Sequence, residues 1–261
     1  HPGSDISPHK INQELGALQM IMKRARCWTE ELKDLYEPLQ TNESDIPQAL
    51  SPVEQQLWLN TAASRTEWSL VYWYSLVAFS TTASNCEMRA LKLGNVNLES
   101  HVLTIQSLHA KNKYRIRTVP LSAEAKWAVE QLIARTRELG ANGPQDFLFP
   151  FRIGKGHWDP ARPMSNSGLK KRWDEVRSAT GLAWFTPHDA RHTGITRYAE
   201  AGYGILQIMS IAGQISRKMV QHYTHISEQS KRLMVAAVER MAPRRVARPL
   251  AARVENRVNS L

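Results

Sequence analysis

Two side chains suited to binding a phosphate lie close together in the second half of the sequence. His188 and Arg191 are one helical turn apart, so they share a face if their segment is helical. A guanidinium donates two parallel hydrogen bonds to phosphate oxygens and an imidazole donates another, which stabilises the charge of phosphoryl transfer. The spacing alone is better explained by a helix start with a histidine packed against the core. A metal site at His188 and His192 is disfavoured, because no third ligand or activating glutamate lies between them.

A tyrosine that can act as a nucleophile follows further along the chain. Residues 213–216 read Gly-Gln-Ile-Ser and residues 222–225 read His-Tyr-Thr-His. The phenolate of Tyr223 can attack a phosphodiester where cations lower the barrier, and the bond is then stored as a phosphotyrosine. The alternative is a tyrosine on a helix face whose hydroxyl is satisfied by one hydrogen bond.

The charge of the chain favours a polyanionic partner. The formal net charge is +10 and the isoelectric point is near 9.8, so nucleic acid is the leading candidate. An anionic membrane surface is the competitor, but it requires an exposed, amphipathic basic helix, and no segment fits that description. The longest apolar stretch, from Trp68 to Phe79, is shorter than the roughly 20 residues of a membrane span. We therefore expect an intracellular, cytoplasmic protein without a membrane segment.

Composition predicts a globular chain with its own core. The sequence is 42% hydrophobic and 22% charged. Its two cysteines, Cys27 and Cys86, are too few for a disulfide framework or a four-thiolate metal site. Both are predicted to be small buried side chains.

Helix signals recur along the chain. Ser7 followed by Pro8 predicts the start of an amphipathic helix, and Ser51 with Glu54 has the form of a capping box. The apolar stretch that follows predicts a helix buried in the core. Two further helices are expected to begin at caps and end before glycines, and a last one is expected at about 227–241, before an arginine-rich tail. Those two are predicted from Ser122 to Gly140 and from Ser165 to Gly181.

A β-hairpin is predicted in the middle of the chain. Residues 102–105 and 115–119 have the composition of strands. They are joined through residues 110–113, which places Lys111 and Lys113 at the tip. Taken alone, a lysine at such a tip is most simply interpreted as a solvated turn residue.

The order of these pieces resembles the tyrosine recombinase, or phage integrase, family over nearly the whole chain. Residues 186–193 look like the family's histidine-to-arginine box, and residues 211–225 look like its C-terminal box, which ends in the nucleophile. Residues 86–98 are similar to the helix and turn before its first strand. Lys111 together with residues 117–121 is similar to its catalytic β-hairpin. The resemblance implies a mainly α-helical fold with a small antiparallel β-sheet.

The resemblance also implies roles for individual residues. Tyr223 becomes the nucleophile, Arg191 and His188 become phosphate ligands, and Lys111 becomes the proton donor to the departing 5′ oxygen. Two positions depart from the pattern. Ser84 stands where the family has its first catalytic arginine, with Arg89 one helical turn away as a speculative substitute, and Gln214 stands where a histidine or tryptophan is usual. A serine supplies no charge, whereas an amide can still donate to a phosphate oxygen.

These implications give a domain division and a function. Residues 1–45 are expected to be the end of a helical, SAM-like core-binding domain plus a linker, residues 46–241 the catalytic domain, and residues 242–261 a basic tail. The expected enzyme cuts and rejoins double-stranded DNA of a mobile element through a 3′-phosphotyrosine, without metal, ATP or other cofactor. It would act as a homotetramer on DNA and could be a monomer in solution. Further contacts to DNA phosphates are expected from Lys113, Arg117, Lys170, Lys171 and Arg172.

Two alternatives remain open. One is a weakly active or inactive DNA-binding relic of the family, with Ser84 as the reason for the loss. The other is an enzyme that resembles a type IB topoisomerase, which shares the chemistry but acts without choosing a site.

Overall fold

The computed structural model describes residues 6–40, 48–106, 116–213 and 235–236. The chain divides into two compact units, residues 1–46 and 47–261. As predicted, it is mainly α-helical with small antiparallel sheets. In the described ranges, no helix combines the length and apolarity that crossing a membrane requires.

The first unit contains a helix that begins at its predicted cap. The helix α1 (Pro8–Arg24) follows Ser7, whose side chain accepts a hydrogen bond from the first turn. A short helix, α2 (Glu30–Asp34), comes next. The side chain of Asn12 bonds to both the N–H and the C=O of Leu39, at 2.8 Å each, and so ties α1 to the segment after α2.

The second unit is organised around the predicted apolar helix. This helix, α4 (Ser69–Thr81), is apolar on every face, as expected for a helix that is covered on all sides. It packs against α3 (Pro52–Ala63), α6 (Ala123–Glu138) and α8 (Pro187–Glu200). The predicted capping box of Ser51 and Glu54 begins α3. In chain order the α-helices described in this unit are α3 (Pro52–Ala63), α4 (Ser69–Thr81), α5 (Asn85–Ala90), α6 (Ala123–Glu138), α7 (Lys170–Thr180), α8 (Pro187–Glu200) and α9 (Ile205–Ala212).

A three-stranded antiparallel sheet contains the predicted hairpin strands. It consists of β1 (Val96–Asn97), β2 (Val102–Ile105) and β3 (Arg117–Pro120), in that order. Leu103 pairs with Val119, and both are buried. Because side chains alternate along a strand, Arg117 lies on the same face as Val119 and is directed toward the core. The tip of the hairpin, with Lys111 and Lys113, lies outside the described residues.

A second hairpin was not predicted from the sequence. Strands β4 (Pro150–Gly154) and β5 (His157–Pro163) pair with an irregular register. Gly156 makes the reversal possible, since its φ of 79° is strained for residues with a side chain.

Two other local predictions were wrong. The helix α7 begins at Lys170, with Leu169 as its N-cap, and not at Ser165; its predicted end before Gly181 is confirmed. Cys27 and Cys86 are exposed, not buried. The helix predicted at about 227–241 lies almost wholly outside the described residues, and the arginine-rich tail lies entirely outside them.

The core of the second unit contains an aromatic cluster. The rings of Trp58 and Trp173 are 4.8 Å apart, and that of Phe185 is 4.7 Å from Trp58. The indole nitrogens are satisfied, since Trp58 donates to Ser75 and Trp173 donates to the carbonyl of Phe185. The cluster packs α3, α4 and α7 together.

Candidate active site

Glu87 lies at the centre of the candidate site. It occupies the first turn of α5, and Ser84 is the N-cap. The backbone N–H and the hydroxyl of Ser84 donate to Oε2 of Glu87, at 2.8 and 2.9 Å. The pattern Ser-x-x-Glu forms such a cap because it satisfies groups that the helix end leaves without partners. The serine at the expected arginine position therefore holds the carboxylate of Glu87.

Arg117 reaches the same carboxylate from β3. Its Nη1 lies 2.6 Å from Oε1 of Glu87, and its Nη2 lies 3.2 Å from Oε2. Its Nε donates to the carbonyl oxygen of Ile211 at the end of α9, at 2.5 Å. The pair is nearly inaccessible to water, with side chains 8% and 9% exposed. This bidentate geometry is the arrangement that guanidinium and carboxylate groups prefer.

Arg191 joins the cluster from α8. Its Nη1 donates to the carbonyl oxygen of Thr82 at 2.6 Å and lies 3.3 Å from Oε2 of Glu87. Its Nη2 donates to the carbonyl oxygen of Ala212 at 2.8 Å. The approach of α8 to α4 depends on Gly194, because a Cβ there would lie 2.5 Å from the carbonyl oxygen of Phe79. Four separate parts of the chain thus meet around Glu87.

The charges of the cluster do not cancel. Burial raises the pKa of Glu87, but the hydrogen bonds and charge of Arg117, the N–H of Ser84 and the charge of Arg191 together lower this pKa below its usual value. The carboxylate is therefore ionised at neutral pH. Among the described residues, one carboxylate is shared by two guanidinium groups, and this excess of positive groups suits an oxyanion such as a phosphate.

His188 and His192 lie on α8 but differ in their surroundings. His188 is exposed in the first turn, whereas His192 is 4% exposed. Their ring centroids are 4.5 Å apart and nearly perpendicular. Burial, reinforced by the nearby His188, lowers the pKa of His192 to about 4. His192 is thus neutral at physiological pH and belongs to the core, whereas His188 is accessible on the helix that carries Arg191.

The structure does not place the other predicted catalytic residues in this cluster. Lys111, Lys113, Gln214 and Tyr223 lie outside the described residues. Arg89 is directed elsewhere: its Nε donates to the carbonyl oxygen of Met164 at 2.6 Å. The structure therefore does not bring it into the Glu87 cluster, although the sequence suggested it as a substitute for the missing arginine.

The basic face of α7 is paired locally. Lys170 lies 2.7 Å from Asp174, and Arg172 lies 2.8 Å from Glu175. Asp174 also contacts Arg177 at 3.0 Å. Lys171 is exposed. We refer to Lys170, Arg172, Asp174, Glu175 and Arg177 as the α7 face.

Sequence reasoning missed the central role of Glu87 and the buried position of Arg117. Ser84 and Glu87 form the same Ser-x-x-Glu pattern that was recognised at Ser51, so the local signal was present. The burial of Arg117 follows from its place two residues before Val119 in a strand that alternates.

The sequence is similar to one family of proteins. The model of the phage integrase family matches residues 56–230. The tyrosine recombinase XerC of Herpetosiphon aurantiacus is 29% identical over 152 residues, which is 58% of this chain and 46% of that protein. The XerC protein of Chlamydia trachomatis is 25% identical over 147 residues, or 56% and 43% of the two chains. This chain spans about half the length of the curated relatives it matches.

A solved structure has the same fold. The integrase of the Tn1549 transposon, in complex with transposon right-end DNA, superimposes with a TM-score of 0.71. The superposition covers 90% of this chain and 81% of the integrase chain, at 17% sequence identity. The family match, which extends over more than half of the sequence, and this shared fold lead to one conclusion: the chain belongs to the phage integrase family, the tyrosine recombinases.

Proposed function

We propose that this protein cuts and rejoins double-stranded DNA through a 3′-phosphotyrosine intermediate on Tyr223. The observation that carries the proposal is the cluster in which Arg191 and Arg117 share the carboxylate of Glu87 and keep a positive charge. The cluster fixes the guanidinium of Arg191, so that it binds a phosphate without having to rearrange, and such preorganisation is a main source of catalysis. The family match includes Tyr223, which lies within residues 56–230.

The proposed reaction exchanges one phosphodiester bond for another. The oxygen of Tyr223 attacks the phosphorus and loses its proton to solvent, while the bond from phosphorus to the 5′ oxygen breaks. Lys111 gives a proton to that departing oxygen. Arg191, His188 and Gln214 donate hydrogen bonds to the non-bridging oxygens. Attack by the 5′ hydroxyl of a partner strand reverses these steps and releases the tyrosine, so no metal or nucleotide is consumed.

The proposed partner is duplex DNA from a mobile element. The Tn1549 integrase structure contains transposon DNA, and the high positive charge of this chain suits a polyanion. Lys113, Lys170, Lys171 and Arg172 are proposed to contact the DNA backbone. We also propose that residues 1–45 belong to a DNA-clamping domain, that residues 46–241 are the catalytic domain followed by a basic tail, and that four copies assemble on DNA.

A DNA-binding relic is the second candidate, and Ser84 is the observation that favours it. Its N–H and hydroxyl already donate to Glu87, and it brings no charge to the site. Removing one preorganised donor from an active site typically lowers the rate by about 10²–10³-fold. Slow cleavage is therefore expected from the enzyme, and no cleavage from the relic.

Covalent trapping separates the two candidates. The probe is a nicked duplex library with a randomised central segment, from which the short 5′-hydroxyl fragment dissociates after cleavage and leaves the protein attached. We expect the chain to form an adduct that survives denaturation, Tyr223→Phe to form none, and Tyr203→Phe, which alters an exposed tyrosine, to form as much as the original. If the unaltered chain binds the library but never becomes attached, the enzyme is excluded and the relic is supported. Equal relaxation of plasmids with and without the selected site would instead indicate a topoisomerase.

A further inference from the structure

The second guanidinium of the site comes from the β-sheet. Arg117 and Arg191 both contact Oε2 of Glu87, at 3.2 and 3.3 Å, so the two groups lie side by side on one carboxylate. Their side chains are 8% and 12% exposed. Two like charges at this depth are tolerated only where an anion lies between or beside them. Within the described residues Glu87 is the carboxylate that contacts both, and a bound phosphate would add a second anion beside them.

The two arginines are also anchored alike. Arg117 donates to the carbonyl of Ile211, and Arg191 donates to the carbonyl of the next residue, Ala212. Gly213 follows with a φ of 75°, and a Cβ at this position would lie 3.0 Å from Nη1 of Arg117. The chain therefore passes directly over Arg117 before the segment that carries Gln214 and Tyr223 begins. Arg117 therefore lies beside Ile211 and Gly213, at the end of the described range 116–213.

Arg117 retains the capacity to bind a phosphate while it holds Glu87. Each terminal nitrogen of a guanidinium carries two N–H groups. The contacts seen within the described ranges use one on Nη1 and one on Nη2, both toward Glu87. A second N–H on each nitrogen can point to a phosphate oxygen. Ser84 cannot do the same, because it is neutral and its hydroxyl donates to Glu87.

We infer that Arg117 binds the scissile phosphate beside Arg191 and supplies the positive charge that Ser84 lacks. This inference rests on the proposed function and makes Arg117 a catalytic residue, not only a contact to the DNA backbone. Its guanidinium donates hydrogen bonds to a non-bridging oxygen while Tyr223 attacks the phosphorus. If this assignment is correct, the rate of cleavage should depend much less on Arg117 when the phosphate carries no negative charge.

The test measures the rate of adduct formation on two matched substrates. The adduct of the unaltered chain first identifies the cleaved bond, and a second duplex then carries a methylphosphonate there, in which a methyl group replaces one charged oxygen. We expect Arg117→Gln to lower the rate on the phosphate substrate by about 10²–10³-fold. On the methylphosphonate substrate, the rate should fall far less. Arg89→Gln, which alters a neighbouring arginine anchored on Met164, should match the unaltered chain on both.

The other possible outcomes contradict either the role of Arg117 or the proposed function itself. An equal loss on both substrates would mean that Arg117 only positions Glu87 and α9, and the inference would be wrong. It would also be wrong if Arg89→Gln lost the activity and Arg117→Gln kept it. If Arg117→Gln does not fold, Arg117→Lys keeps the charge near Glu87 but loses the bidentate geometry, and the same two substrates are compared. Failure of the unaltered chain to form any adduct contradicts the proposed function itself, and the inference falls with it.

Discussion

The Glu87 cluster and the α7 face contain the same chemical groups in opposite surroundings. In the cluster, partners from α5, β3 and α8 meet at side chains that are 8–12% exposed. On the α7 face, the ion pairs lie within one helix, and Lys170 and Asp174 are 71% and 39% exposed. Water and salt screen the second group and not the first. The comparison shows that burial, and not the chemical groups themselves, decides how strongly an arginine and a carboxylate interact.

The largest expected effect is the loss of stability when the carboxylate of Glu87 is removed. Glu87→Gln removes the carboxylate that two buried guanidinium groups share, which should lower the free energy of unfolding by about 3–5 kcal/mol. Guanidinium chloride denaturation followed by tryptophan fluorescence measures this change.

Asp174→Asn is the matched control on the α7 face. It also removes a carboxylate that contacts two basic side chains, yet the effect should stay within about 1 kcal/mol because these groups are solvated. Similar losses for the two variants would show that burial does not distinguish the two regions.

The second effect is a pH dependence from the buried part of α8. Because the pKa of His192 is lowered to about 4, the folded chain binds fewer protons than the unfolded chain between that value and the ordinary value near 6.5. Stability therefore rises with pH across this window, is complete above it, and is lost on acidification, by at most about 3 kcal/mol. The pKa values of Glu87 and Asp174 are lowered, so their contributions disappear only at more acidic pH.

Unfolding experiments at a series of pH values test this assignment. His192→Leu should remove most of the slope between pH 4 and 6.5, whereas His157→Gln, at an exposed histidine in the second hairpin, should retain it. A slope that survives in His192→Leu would assign the proton uptake to another group.

Local signals in the sequence predicted the elements that depend on nearby residues. The cap at Ser51, the apolar helix α4 and the strand β2 were confirmed, because capping and periodicity act within a few residues. The hairpin of β4 and β5 was missed, since it contains Pro150, Pro160 and Pro163, which argue against a strand. Its irregular pairing tolerates them.

The candidate site was predictable only in part. Arg191 and His188 were recognised from their spacing and from the family resemblance, and the prediction that they share a helix is confirmed. The meeting of Arg117 with Glu87 depends on the register of a sheet against a distant helix end, which no local pattern encodes. Cys86 was predicted to be buried but is exposed, because its neighbours Ser84 and Glu87 are the residues that face the cluster. The roles of Tyr223, Lys111 and Gln214 stay predictions.

The third effect compares two capping boxes of the same type. Ser84→Ala removes a hydroxyl that donates to Glu87 inside the cluster, whereas Ser51→Ala removes a hydroxyl that accepts from the N–H of Glu54 at the exposed start of α3. Loss of an N-cap typically costs about 0.5–2 kcal/mol, and we expect Ser84→Ala near the upper end and Ser51→Ala near the lower end. Denaturant unfolding measures both. A larger loss for Ser51→Ala would mean that the hydroxyl of Ser84 adds nothing to the Glu87 cluster.

The smallest effect concerns a single pair on the α7 face. Lys170 and Asp174 are one helical turn apart, with the lysine nearer the N-terminus, which is the weaker orientation for such a pair. A double-mutant cycle with Lys170→Met and Asp174→Asn should give a coupling of about 0.2–0.5 kcal/mol at low salt. At about 1 M salt, where the screening length is about 3 Å, the coupling should approach zero. A coupling that is larger than about 1 kcal/mol or insensitive to salt would place this pair with the buried cluster, because screening by solvent is what separates the two regions.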